Sequence, residues 1–128
     1  MSKQPIRTDR GPRPIGPYNQ GVTLGNLVFV SGMGPLDPQT GQIVGTDVKA
    51  QVRQVLANVA AILEAAGSSK EKVLKTTCFL KNMNDFPVFN QEYSNFFGSG
   101  SDFPARTTIE AARLPGDILI EIEAIAYK

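Results

Sequence analysis

The sequence predicts an α+β fold with two layers, in which two helices pack on one face of a mixed β-sheet. Two stretches have apolar residues at a helical period, and about five shorter stretches are rich in β-branched and aromatic residues. Their order is ββ-α-β-α-ββ, with no interdomain linker among the 128 residues. We therefore expect one domain over residues 15–128, preceded by a flexible N-terminal segment over residues 1–14.

The first two strands are predicted to form a hairpin. Residues 22–24 and 27–30 are short apolar runs separated by Gly25 and Asn26, and a two-residue Gly-X loop is typical of a type II′ turn. Residues 33–45 are dense in Gly, Pro and Asp, which indicates a loop.

The first helix is predicted over residues 47–66. Thr46 or Asp47 can cap its N-terminus, and Gly67 suits the position just after its C-terminus. Its apolar residues form one stripe on a 3.6-residue period, namely Val48, Val52, Val55, Leu56, Val59, Ile62 and Leu63.

A strand over residues 73–81 leads to the second helix, which Asn84 or Asp85 can cap. The apolar stripe of this helix is aromatic and consists of Phe86, Phe89, Tyr93, Phe96 and Phe97. Two more strands are predicted over residues 106–113 and 118–126.

The last strand has two different faces. Ile118, Ile120, Ile122, Ala124 and Ala126 point to one side, and Leu119, Glu121, Glu123 and Ile125 point to the other. Two helices can cover only one face of the sheet, so the second face exposes apolar residues beside two glutamates. An uncovered apolar patch of this kind indicates a partner, and we expect the chain to associate.

The charge balance and the single cysteine limit the possible partners and compartments. Lys and Arg total 13 against 12 for Asp and Glu, so we expect neither nucleic acid nor a membrane as partner. No apolar run approaches the roughly 20 residues of a membrane span, and the N-terminus lacks the apolar stretch of a secretory signal. Cys78 is the lone cysteine, which suits a reducing compartment, and we expect a cytoplasmic location.

The chain contains no histidine, which restricts its chemistry. A Ser-His-Asp triad, a Cys-His pair and a histidine-ligated metal are all excluded, and one cysteine cannot build a thiolate zinc site. Any catalysis must use carboxylates, Arg, Lys, Tyr, Ser, backbone groups or water. Cys78 itself is interpreted as a buried small hydrophobe.

Arg106 and Glu121 are charges inside predicted strands. A guanidinium can bind a carboxylate through two parallel hydrogen bonds, but Arg106 can also be a rim arginine paired with a glutamate of the same chain. Glu121 and Glu123 share a strand face and can divide acid and base work, but they can also be a solvated edge. Spacing alone favours the structural alternative in each case.

Other candidates are equally open on spacing alone. Tyr18 lies in a turn before the first strand, where an aromatic ring can line a pocket or simply pack. Ser31 and Gly32 end the second strand, where backbone N–H groups can face a ligand. Asn90 lies within the second helix, where an asparagine is most often solvated.

Six short motifs occur in an order and at spacings that match a known family: Ile15-Gly16-Pro17-Tyr18, Val30-Ser31-Gly32, Asp37-Pro38-Gln39-Thr40-Gly41, Ala65-Ala66-Gly67, Phe103-Pro104-Ala105-Arg106 and Ile120-Glu121-Ile122-Glu123-Ala124. From about Ile15 to Tyr127 the chain resembles the reactive intermediate deaminase (Rid) family, and its RidA branch in particular.

The resemblance implies a chorismate-mutase-like fold and a homotrimer, with sheets forming a central barrel and ligand sites between subunits. It implies hydrolysis of reactive 2-enamine/2-imine acids, such as 2-aminoacrylate and 2-iminobutanoate, to 2-keto acids and ammonia, which protects against metabolite damage. Such a reaction requires no metal or cofactor. A non-catalytic metabolite-binding or regulatory trimer is an alternative, and a ribonuclease is a further one that the absent histidine and near-zero net charge disfavour.

The resemblance also assigns roles to individual residues. Arg106 matches the family's carboxylate-binding arginine, and Glu121 matches its water-orienting glutamate. The remaining substrate-binding positions fall on Tyr18, Ser31, Gly32, Asn90 and Thr108. Well-known members carry a cysteine at the position of Thr108, so a mechanism or a regulation that needs a thiol there is not expected.

Overall fold

Six strands form one mixed sheet in the computed structural model, which describes residues 1–128. The strands are β1 Gln4–Ile6, β2 Gly21–Leu24, β3 Leu27–Met33, β4 Val73–Leu80, β5 Ala105–Glu110 and β6 Ile120–Tyr127. Their order across the sheet is β1-β2-β3-β6-β4-β5, and only β4 and β5 run parallel. The predicted α+β class with a mixed sheet is therefore confirmed.

The predicted hairpin joins β2 and β3. Gly25 has a φ of +58° while Asn26 does not have a positive φ, as a type II′ turn requires. Three strand ends differ from the expected ones by two or three residues, and one of them is the start of β6, which begins at Ile120 rather than at residue 118. Strand β3 continues to Met33, and β5 already ends at Glu110, because beyond Glu110 only the backbone N–H of Ala111 bonds back to Leu80 of β4.

Helix α1 spans Val48–Ala65 and packs its predicted stripe against the sheet. Asp47 is its N-cap, and the side-chain oxygen of Asp47 accepts a hydrogen bond from the backbone N–H of Ala50 at 2.8 Å. Gly67 follows the helix with a φ of +83°, the left-handed conformation expected there.

Helix α2 spans Phe86–Phe97. Asp85 precedes it but makes no capping hydrogen bond with its side chain. The side chain of Asn82 instead caps the short 3₁₀ turn Met83–Asp85 that leads into the helix. An ion pair between the buried Glu92 of α2 and Arg53 of α1 joins the two helices on the same face of the sheet.

The helices leave the second face of the sheet uncovered, as predicted. In β6 the residues with even numbers are buried under the helices, whereas Glu123 and Ile125 are exposed on the other side. The apolar side chains exposed on this open face are Leu27, Phe29, Ile109, Ile125 and Tyr127. The expected association through this face stays a prediction.

The expectation of a flexible segment over residues 1–14 needs a correction. Strand β1 lies in this segment and pairs antiparallel with β2, and Ile6 is buried. The buried side chain of Gln20 accepts a hydrogen bond from the N–H of Thr8 at 2.8 Å and donates to the carbonyl oxygens of Thr8 and Pro12 at 3.0 and 2.8 Å. These partners are distant in sequence, and a three-residue strand with one buried residue has no alternation that predicts it.

No helix of the structure combines the length and the apolar character needed to cross a bilayer.

Replacing Gln20 by Met keeps the volume of the side chain and removes the hydrogen bonds to the N-terminal segment. We expect the free energy of unfolding to fall by about 1–3 kcal/mol, because Thr8 and Pro12 lose buried partners. Urea unfolding measures this change, and hydrogen exchange should show faster exchange in residues 4–12.

Gln39→Met is the matched control, because Gln39 is exposed and makes one long bond of 3.4 Å to the carbonyl oxygen of Asp9. This control should change stability by less than about 0.5 kcal/mol. Unchanged exchange of residues 4–12 in Gln20→Met would contradict the anchoring role of Gln20.

Candidate active site

A cavity of about 660 Å³ opens on the uncovered face of the sheet. Its polar lining includes four of the residues that the sequence singled out, namely Tyr18, Ser31, Gly32 and Glu121. Glu123 lies beside them, and apolar side chains, including Leu36, Ile43 and Ile118, form the other wall. We call Tyr18, Ser31, Gly32 and Glu121 the Glu121 group.

A β-bulge brings Ser31 and Gly32 into this cavity. Val30 pairs with Ala124 and Met33 with Ile122, so β3 contains one residue more than β6 between these pairs. The hydroxyl of Ser31 donates to the carbonyl oxygen of Asn19 at 2.6 Å, and its N–H donates to the carbonyl oxygen of Gln20 at 3.0 Å. These bonds fix the loop that carries Tyr18.

The position of Glu121 depends on the missing side chain of Gly32. A Cβ atom at Gly32 would lie 2.8 Å from Oε2 and 2.9 Å from Cδ of Glu121, so any residue other than glycine would displace this carboxylate. The carboxylate therefore packs directly over the backbone of the bulge.

Partial burial raises the pKa of Glu121 above its ordinary value, and the neighbouring charge of Glu123 raises it further. A carboxylate with a raised pKa is a stronger base than an ordinary glutamate and returns its proton less readily to water. These properties suit a group that accepts a proton and then donates it.

Helix α1 holds the loops of the apolar wall in place. The amide of Asn58 donates to the carbonyl oxygens of Gly34 and Leu36 at 3.0 and 2.9 Å. The side chain of Gln51 donates to the carbonyl oxygen of Gly45 at 3.2 Å and accepts from the N–H of Leu119 at 2.8 Å. Two buried amides on one helix thus hold the segments that carry Leu36 and Ile118 of the cavity wall.

Arg106 lies on the other face of the sheet, under helix α2. Its guanidinium carbon is 4.8, 5.0 and 5.5 Å from the ring centres of Tyr93, Phe89 and Phe86. The two salt bridges of the chain involve other residues, and Arg106 makes no hydrogen bond with its side chain. The alternative in which Arg106 pairs with a glutamate of the same chain is therefore wrong.

Aromatic contact stabilises the cation through the ring faces and leaves its N–H donors free. Two polar atoms of nearby elements are also free. Oγ1 of Thr108 and Oδ1 of Asn90 are buried and have no hydrogen-bond partner, which is rare for buried polar groups. We call Asn90, Arg106 and Thr108 the Arg106 group.

Cys78 lies opposite Thr108 on the neighbouring strand β4 and is fully buried. Burial raises the pKa of its thiol to about 11, so the thiolate that would react as a nucleophile is not formed near neutral pH. The prediction of Cys78 as a buried small hydrophobe is confirmed.

One chain does not bring the two groups together. Across the sheet, Glu121 of β6 pairs with Phe79 of β4, and Phe79 pairs with Ile109 of β5. Arg106 precedes Ile109 by three residues on β5. Two strand spacings and three residue steps put the Cα atoms of Arg106 and Glu121 about 14 Å apart. Their side chains also lie on opposite faces of the sheet, so one small ligand cannot contact both within one subunit.

Comparison with known proteins gives a family for this arrangement. A sequence model of the family described as Endoribonuclease L-PSP matches residues 8–128. A RutC family protein from Pyrococcus abyssi is 51% identical over 128 residues, covering 100% of this chain and 99% of the relative. The 2-iminobutanoate/2-iminopropanoate deaminase of Salmonella typhimurium is 53% identical over 129 residues, covering 100% of this chain and 99% of the relative.

The chain belongs to the RutC/Rid family. The resemblance read from the six motifs is confirmed. The crystal structure of E. coli TdcF with bound serine has the same fold, with a TM-score of 0.92 at 47% identity, covering 98% of each chain. Among the Rid-family positions identified from the sequence, the structure brings Tyr18, Ser31, Gly32 and Glu121 to one cavity and places Arg106 on the other face of the sheet.

Sequence reasoning missed the surroundings of Arg106. Phe86, Phe89 and Tyr93 were expected only to form the apolar stripe of α2, but their rings also contact the guanidinium. Their spacing of three and four residues places them on one side of a helix, which was the available signal. No group of three or more His, Cys, Asp and Glu side chains is arranged to hold a metal ion.

Gly32→Ala should push the carboxylate of Glu121 out of its packed position, because the new Cβ would lie 2.8 Å from Oε2. We expect the pKa of Glu121 to fall toward its ordinary value as its burial decreases. Because the folded-state pKa of Glu121 is raised, the free energy of unfolding falls as the pH rises through that pKa. This pH-dependent loss of stability should be smaller in Gly32→Ala. NMR titration of the side-chain carboxyl carbons measures the pKa.

Gly16→Ala is the matched control, because a Cβ at Gly16 would meet only Tyr18 at an ordinary 3.5 Å. The pKa of Glu121 should not change in this variant. An unchanged pKa in Gly32→Ala would contradict the close-packing argument.

Proposed function

We propose that the chain hydrolyses reactive 2-enamine/2-imine acids, such as 2-aminoacrylate and 2-iminobutanoate, to 2-keto acids and ammonia. The observation that carries the proposal is Arg106, a partly buried cation with free donors and no carboxylate of its own chain. The name of the Salmonella typhimurium relative supports the choice of substrate. The lone buried cysteine is in keeping with a cytoplasmic location.

In the proposed reaction Arg106 binds the substrate carboxylate through paired hydrogen bonds. Glu121 accepts a proton from a water molecule whose oxygen forms a bond to C2 of the imine, and it returns this proton to the imine nitrogen, which gives a carbinolamine. Glu121 then carries the hydroxyl proton of the carbinolamine to the nitrogen, the C–N bond breaks, ammonia leaves, and C2 becomes the keto carbon. Anchoring and water placement supply most of the rate enhancement, because imines already hydrolyse in water.

The proposed active site is formed between subunits of a homotrimer. Since Arg106 and Glu121 of one chain face opposite sides of the sheet, a substrate that contacts both needs them from two copies. The exposed apolar side chains of the open face, among them Phe29 and Ile125, would be buried between subunits. The cavity beside Glu121 opens on this same face.

Arg106→Ala should lower the acceleration of imine hydrolysis by roughly 100-fold, the loss expected when hydrogen bonds to a charged group are removed. The assay generates imines in situ with an amino-acid oxidase or a threonine dehydratase and measures keto-acid release. Arg113→Ala is the matched control, since Arg113 is exposed and unpaired, and it should keep full activity. A fully active Arg106→Ala variant would exclude Arg106 as the anchor.

Mixing Arg106→Ala with Glu121→Gln tests the intersubunit site. Each variant alone should be nearly inactive. After joint unfolding and refolding at equal amounts, random assortment gives about a quarter of the sites both wild-type residues, and about a quarter of wild-type activity should return. Each variant refolded alone is the control. A mixture no more active than its components would show that the site does not combine two chains.

Two other functions give different outcomes in the same assays. A non-catalytic metabolite-binding trimer would bind 2-keto acids tightly and accelerate none of the imines. The family description names an endoribonuclease, and that activity would appear as RNA cleavage that copurifies with the protein and is lost in Arg106→Ala. The absence of histidine and the net charge of +1 leave a ribonuclease without the usual acid–base pair and with weak phosphate attraction.

A further inference from the structure

The surroundings of Arg106 suggest how the guanidinium is oriented, an inference that rests on the proposed function. The other arginines with partners are held by carboxylates, as Arg53 is by Glu92 and Arg10 by Glu64. Arg106 instead contacts three aromatic rings and has no carboxylate partner. Arginine has a long side chain with many rotamers, so the rings must restrict it if the donors are to face a substrate.

Of the three rings, only that of Tyr93 is bonded to the sheet. Its hydroxyl is buried and forms a hydrogen bond of 2.6 Å with the hydroxyl of Thr76. The rings of Phe89 and Phe97 pack against it at centroid distances of 5.5 and 4.7 Å. Phe86 and Phe89 contact the guanidinium but carry no polar group that fixes their rings.

Thr76 stands directly beside Arg106 in the sheet, because the two residues are register partners on β4 and β5. The hydrogen bond from Thr76 to Tyr93 and the contact of 4.8 Å from Tyr93 to Arg106 therefore close a small loop between two strands and helix α2. The thiol of Cys78 also donates to the hydroxyl oxygen of Thr76, at 3.7 Å.

We propose that Tyr93, held by Thr76, is a positioning residue that orients the guanidinium of Arg106 for the carboxylate of the substrate. Tyr93 contacts the cation through its ring face and leaves the N–H donors free. Burial raises the pKa of Tyr93 to about 12, so its hydroxyl stays neutral and remains a hydrogen-bonding partner of Thr76 at physiological pH.

The test measures binding of 2-oxobutanoate, a product of the proposed reaction, and of its uncharged amide, 2-oxobutanamide. Tyr93→Leu removes the ring and should raise the Kd for 2-oxobutanoate by about tenfold, the size of a partly desolvated cation–π contact. The Kd for the amide should not change, because the amide has no carboxylate for Arg106. Calorimetry or NMR titration measures both values without reference to turnover.

Two conservative variants separate the ring from its hydrogen bond. Tyr93→Phe keeps the ring and Thr76→Val keeps the volume of Thr76, and each should raise the Kd for 2-oxobutanoate by about threefold. The double variant should show no larger effect than either single one, because both remove the same hydrogen bond. If Tyr93→Leu fails to fold, Tyr93→Phe and Thr76→Val still test whether Tyr93 positions Arg106.

Phe97→Leu is the matched control. It removes an aromatic ring from the same helix that packs on Tyr93 at 4.7 Å but is not among the rings around Arg106. The proposal is overturned if folded Tyr93→Leu binds 2-oxobutanoate like the wild type, or if Phe97→Leu weakens binding equally. If Arg106→Ala abolishes hydrolysis while these Tyr93 results are negative, the proposed function stands without this inference. If Arg106→Ala is fully active, the proposed function fails first.

Discussion

The alternation of side chains along a β-strand decides the layout of this molecule. Arg106 points toward the helices, and Glu121 points to the open face, because their strand positions differ in parity across a common register. The helices can therefore shield the cation, and the open face can hold the carboxylate in a cavity. The bulge at Ser31 and Gly32 leaves space for the carboxylate on the open face. The aromatic stripe of α2 contacts the cation on the other face.

The division keeps two opposite charges from pairing with each other. Arg106 and Glu121 lie on opposite faces with about 14 Å between their Cα atoms, so they form no internal ion pair and both stay available to a ligand. Instead, aromatic rings stabilise the cation without using its donors. Partial burial, with the charge of Glu123 beside it, raises the pKa of Glu121, and the carboxylate has no counter-ion. Each group is thus partly desolvated and still free to interact.

Local patterns predicted the local structure well. The stripe from Val48 to Leu63 identified α1, and Gly25 identified the hairpin, because both signals depend on neighbours in sequence. Strand β1 was missed because its partners, Gln20 and β2, are distant and it buries only Ile6. The site residues came from family motifs, and their separation into two groups depends on the strand order β6-β4-β5, which no local pattern contains.

The two edges of the sheet are not equivalent. At one edge, β1 has three residues, and its central residue, Pro5, has no N–H group to donate. Such a strand is a poor template for another chain, as natural edge strands that resist aggregation are. At the opposite edge, β5 has six residues without proline. Strand-by-strand stacking of copies would need both edges, so the short N-terminal strand protects the chain against open-ended fibril growth.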